Sequence, residues 1–113
     1  MLTIAHPGII LAQSNILVWT AERDAEMTAL ITVLKAISSE PRLRILQLLK
    51  GRVLCVNAIT SRLGITQSAV SQHLRVLKGA GLVRSEKRGY WMHYSVNEKA
   101  LARYKSVIDK VLS

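Results

Sequence analysis

Five side chains with hydrogen-bonding or cationic ends crowd one short window: Gln67, Ser68, Ser71, Gln72 and Arg75. Steps of three and four residues put them along one side of a helix, and the window contains no acid. Amides, hydroxyls and guanidinium groups can each bond to base edges in the major groove of DNA, which is wide enough for an α-helix. A merely solubilising face would more often carry pairs of Glu and Lys. His73 lies between this face and the apolar positions Val70 and Leu74. It is equally placed to touch nucleic acid or to hold the helix against the hairpin that follows. Further on, Lys87, Arg88 and Tyr90 gather two cations and a phenol, suited to gripping phosphates or entering a minor groove. The plainer reading of that cluster is a solvated turn with a charged tip.

The charge balance favours a polyanionic partner. The formal net charge is +9, with sixteen Lys and Arg against seven Asp and Glu in 113 residues. Residues 1–34 hold one base and three acids, so the excess falls entirely on residues 35–113. Each phosphate neutralised by such a surface releases condensed counterions. Duplex DNA, RNA and anionic membrane share this arithmetic. Few acids, no phosphate-cradling glycine loop and no nucleophile with a matched base argue against an enzyme. His6, His73 and His93 show no metal-ligand spacing. The single cysteine, Cys55, fits a reducing compartment. Its thiol is either a redox or electrophile sensor or a small buried hydrophobe. Tyr90, Trp91 and Tyr94 either stack on single-stranded nucleic acid or pin the hairpin to its helices. The apolar N-terminus has no basic leader and is broken by His6-Pro7-Gly8 and by Gln13, Ser14 and Asn15. It therefore reads as a packing segment or partly ordered tail, not a secretory signal, and a cytoplasmic protein is expected.

The elements that must position these groups follow from periodicity. Met27, Leu30, Ile31, Leu34 and Ile37 form one stripe of an amphipathic helix over 22–38. Ser39 is placed to cap a second helix, with Pro41 in its tolerant first turn and Gly51 as its stop. That helix is expected to turn Leu43, Leu46 and Leu49 inward and to leave Arg42, Arg44 and Lys50 outside. An extended stretch over 52–56 leads to a third helix near Asn57–Leu63, with Asn57 as its N-cap and Gly64 as its stop. Thr66 then caps a fourth helix to about Lys78. Ile59, Leu63, Ile65, Val70, Leu74 and Leu77 are spaced to form the core of a helix-turn-helix. Two β runs, 82–87 and 90–96, flank a turn at Arg88-Gly89. Asn97 caps a last helix carrying Leu101, Tyr104, Ile108 and Val111. The prediction is a mainly α (α+β) winged helix-turn-helix over 22–113, preceded by an apolar extension over 1–21.

From Leu34 to Leu101 the chain resembles the ArsR/SmtB family of sensor repressors. The resemblance is carried by Ser-Glu-Pro-Arg-Leu-Arg-Ile-Leu-Gln-Leu-Leu (39–49), Gln-Ser-Ala-Val-Ser-Gln-His-Leu-Arg-Val-Leu (67–77) and Ala-Gly-Leu-Val-Arg (80–84), with Arg88-Gly89 and His93-Tyr94 matching the wing. It implies a symmetric dimer through the first and last helices, bound to an imperfect palindromic operator and released by an inducer. The apolar stripes over 27–37 and 101–111 agree, since a small domain has little else to bury them on.

Two departures from the family pattern bear on metals. Soft-metal sensors of the family share Leu-Cys-Val-Cys-Asp-Leu where this chain has Leu54-Cys55-Val56-Asn57-Ala58-Ile59. One thiolate per chain does not make a thiophilic site. A second family site takes Asp, His and Glu from the last helix, which here has no His and only Glu98 and Asp109 as acids. No metal and no cofactor is therefore expected. The function this predicts is sequence-specific duplex-DNA binding by a homodimeric repressor. The competing function is a winged helix used for protein or RNA contact.

Overall fold

Helix boundaries in this chain are set by polar caps and glycines at the ends of apolar runs. The computed structural model describes the backbone from Pro7 to Ser113 and the side chains from Ala21 onward. Residues 1–6, and the side chains of the expected extension as far as Thr20, lie outside the described residues. Eight elements follow in order: α1 (Pro7–Ile37), α2 (Glu40–Leu49), β1 (Leu54–Cys55), α3 (Val56–Leu63), α4 (Gln67–Gly79), β2 (Val83–Arg88), β3 (Trp91–Val96) and α5 (Glu98–Leu112). α1 runs unbroken through position 21, where the extension was expected to end. The three strands form one antiparallel sheet in the order β1-β3-β2. This is a winged helix-turn-helix, with α3 and α4 as the helix pair and β2–β3 as the wing.

The caps are the predicted ones at three of four sites. Ser39 Oγ accepts from the Arg42 amide at 3.4 Å, Thr66 Oγ1 from Ala69 at 3.1 Å, and Asn97 Oδ1 from Ala100 at 3.2 Å. Each satisfies an amide that has no partner inside its helix. The fourth expectation fails. α3 begins one residue early, so Cys55 is its N-cap without a side-chain bond, and Asn57 stands exposed inside the first turn. The cause is β1: Leu54 and Cys55 pair with Tyr94 and His93, and the helix starts as soon as that pairing ends. Gly64 closes α3 at φ 69°, a left-handed conformation that glycine adopts without steric cost.

Ile45, Leu49, Ile59, Val70, Leu74, Leu77 and Leu82 are almost completely buried and form the centre of the core. Burying each such side chain contributes about 1.5–3 kcal/mol. Leu63 and Ile65 pack at its margin, as do Tyr94 and Val96 of β3. In α2 the inward residues are Ile45 and Leu49, while Leu43 is 45% exposed, against expectation. The Ile45–Leu49 step of four keeps one side of the short helix on α3 and α4, and Leu43 falls on the other. The wing turn is also displaced by one residue. Arg88 pairs with Trp91, so the loop is Gly89-Tyr90, with Gly89 at φ 65°. Only glycine supplies that conformation cheaply, so it takes the first loop position instead of the second.

α1 has two apolar faces. Leu30, Val33 and Ala36 are buried against the domain, whereas Met27, Ile31 and Leu34 point outward at 43, 49 and 42% exposure. α5 buries Ala100 and Val107, Val107 beside Ala25 and Ala29 of α1, and Lys110 reaches Glu26 at 3.9 Å. Val111 and Leu112 remain exposed at its end.

Candidate nucleic-acid interface

The helix-turn-helix fixes the orientation of α4. Val70, Leu74 and Leu77 bind its inner side to the core, so positions two residues away, Ser68, Gln72 and Arg75 among them, fall on the opposite side of the helix. Gln67, Ser68, Ser71, Gln72 and Arg75 together line one open, mostly polar concavity on that outer side. All but Ser71 are exposed, and Ser71 is half-buried. The first turn of α4 carries no acid, leaving the positive end of the helix dipole free for an anion.

His73 is not part of this surface. It is half-buried beneath the helix, with Nδ1 at 3.3 Å from Arg42 Nη1. Burial and then the Arg42 charge hold its pKa below the ordinary histidine value. Its partner is α2. The same contact corrects the placement of Arg42, which lies half-buried and not on the outer face.

Lys87, Arg88 and Tyr90 are all exposed at the wing tip, Tyr90 at 95%. Glu86 pairs with Arg88 at 2.7 Å, an exposed contact worth little in water. Lys78 Nζ donates to Ser85 Oγ at 2.6 Å and so ties the end of α4 to β2. Of the three wing aromatics only Tyr94 packs against the core, whereas Tyr90 and Trp91 are exposed. Trp91 and Met92 thus join the tip, which the alternating strand pattern did not show because the turn lies one residue later than expected. Cys55 is half-buried at the start of α3, and His93 Nδ1 lies 3.2 Å from the Trp91 carbonyl. Among the described residues no three His, Cys, Asp or Glu side chains converge as metal ligands. Among them, too, no helix is long and apolar enough to cross a membrane.

A protein-family model described as "Bacterial regulatory protein, arsR family" matches residues 39–85, the segment from the α2 cap into the wing. The transcriptional activator HlyU of Vibrio cholerae serotype O1 is 37% identical over 67% of this chain and 70% of its own length. The transcriptional repressor SdpR of Bacillus subtilis (strain 168) is 36% identical over 61% of this chain and 77% of its own. The chain belongs to the ArsR family. Among solved structures, this ArsR-family regulator resembles the homodimeric winged helix-turn-helix DNA-binding domain of Mb0332 from Mycobacterium bovis. That match has a TM-score of 0.67 at 29% identity and covers 79% of this chain and 82% of the other. The family match begins at Ser39, the cap of α2, and ends at Ser85, so it contains the whole outward polar side of α4 and stops short of the wing tip.

Proposed function

We propose that this ArsR-family regulator is a homodimeric repressor that binds an imperfect palindromic operator in duplex DNA and is released from it by a signal. The observation that carries the reading is the outer side of α4. Its acid-free row of amides, hydroxyls and one guanidinium stands on a rigid helix-turn-helix. Gln67, Ser68, Ser71 and Gln72 read base edges, while Arg75, Lys87, Arg88 and Tyr90 hold the phosphate backbone. His73 supports the helix from below and does not touch DNA. The outward face of α1, at Met27, Ile31 and Leu34, and the exposed end of α5 supply the dimer contact. Two-fold pairing places one α4 per half-site. The protein acts in the cytoplasm as a binding protein, not an enzyme.

The test is a transcriptional reporter driven by the region upstream of the protein's own gene, in cells with and without the protein. Repression predicts higher output when the gene is deleted, restored to the low level by the wild-type chain but not by Gln72→Ala. Lower output on deletion would make the protein an activator.

A further inference from the structure

We propose that Arg42 is a positioning residue that ties the base-reading helix α4 to the C-terminal end of α1, with His73 as its acceptor on α4. The arrangement is built from one planar cation serving three elements. Arg42 stands in the first turn of α2, where its backbone amide is held by the Ser39 cap. Its Nε donates to the Ala36 carbonyl, its Nη2 to the Lys35 carbonyl at 3.4 Å, and its Nη1 meets His73 Nδ1 at 3.3 Å. Lys35 and Ala36 belong to the last turn of α1, whose carbonyls have no amide partners inside the helix. The Lys35 carbonyl also accepts from the Ser38 hydroxyl at 2.9 Å and the Ser38 amide at 3.4 Å, so the Ala36 carbonyl is the one that relies most on Arg42. A guanidinium donates in a fixed fork, so one side chain can satisfy them and still reach α4. A lysine at this position would offer a point charge and could not span the same three acceptors.

The consequence concerns sequence readout. α1 also carries the outward apolar face at Met27, Ile31 and Leu34. Any change in how α1 sits on α2 therefore pulls on the far side of the helix that presents Gln72 and Ser68. Because Arg42 only donates, Nδ1 of His73 must accept, and the neutral ring carries its proton on Nε2. Protonation would put an N–H and a positive charge against the guanidinium and break the tie. The charged groups around the ring are cations. Arg42 faces it from α2, Lys35 of α1 lines the adjoining cleft with Arg42, and α4 itself holds Arg75 and Lys78 and no acid. This role presupposes that α4 reads bases, as proposed above.

The experiment measures fluorescence anisotropy on the duplex upstream of the gene and on a scrambled duplex, at about pH 8 and in acid below the ordinary histidine range, where His73 takes up its proton, as far down as circular dichroism shows the chain folded. Acid ordinarily strengthens binding to any DNA by adding positive charge. Wild type should instead lose preference for the upstream duplex in acid by about fivefold, roughly the worth of one net hydrogen bond. His73→Asn, whose amide oxygen accepts at every pH, should keep that preference constant. Arg42→Lys should lose preference already at the higher pH while binding the scrambled duplex as before. Equal acid losses in wild type and His73→Asn would overturn the proposal even if Arg42→Lys failed to fold. So would a wild-type preference that does not change with pH, with α4 as reader left intact. No wild-type preference at either pH would overturn the reading of α4 and this role together.

Discussion

A glutamine amide offers a donor and an acceptor in one plane, the pair that an adenine edge presents in reverse. Gln72 stands exposed in the α4 concavity and Arg88 at the wing tip; in the function proposed above the first meets a base edge and the second a phosphate. Their variants should therefore fail differently. Gln72→Ala is expected to lose about 1–3 kcal/mol on the upstream duplex and little on a scrambled one. Arg88→Ala should weaken both alike and flatten the dependence of log affinity on log salt by about one unit. Anisotropy titrations across a salt series distinguish the two. His73 gives a stability prediction at the same scale. Its folded pKa lies below the ordinary value of 6.5, so the unfolded chain takes up a proton first as pH falls. Stability should be unaffected by this group above pH 6.5, fall as pH drops below it, and level off once the folded form is protonated too. Urea midpoints of wild type and His73→Asn, compared across that range, measure the difference. The α4 side chains were legible because helical spacing alone decides which share a face. Arg42 was not, since its partners lie on α1 and α4, and no local pattern in α2 distinguishes an arginine that turns inward from Arg44, which pairs with Glu40 at 2.7 Å in solvent.

At the scale of elements, capping chemistry carried most of the sequence signal. Ser39, Thr66, Asn97 and Gly64 each mark a boundary through their own side chain or lack of one, and the chain obeys them. Thr66 matters most to the interface because it starts α4. Thr66→Ala should reduce stability by about 1 kcal/mol in chemical denaturation, while a Ser replacement should keep most of it. The errors have a common origin in long-range pairing. β1 is only two residues long and exists because β3 offers it an edge, so neither the strand nor the early start of α3 could be seen locally. The shifted wing turn and the outward Leu43 are likewise settled by register and by which side of a short helix meets the core.

For the whole molecule, the distribution of charge and of apolar surface decides what it can join. The acid-rich end of the chain lies in α1, and the basic excess falls on the segments after it, from α2 to α5. One stripe of α1 was expected, and the structure divides it. Leu30 belongs to the fold, while Met27, Ile31 and Leu34 remain exposed, the face proposed above for the dimer contact. Charged replacement of the outer set tests this directly. Ile31→Glu with Leu34→Glu should give a folded monomer by analytical ultracentrifugation and circular dichroism. It should bind the upstream duplex weakly, because two half-sites then no longer share one protein.

The most direct measurement of the central claim is anisotropy of the wild-type protein on the duplex from upstream of its own gene against a scrambled duplex of equal length, over a salt series. Tight, salt-sensitive binding with a clear preference for the native duplex is the predicted result. Equal and weak binding to both at every salt concentration would contradict it, and would leave the polar side of α4 to an RNA or protein partner.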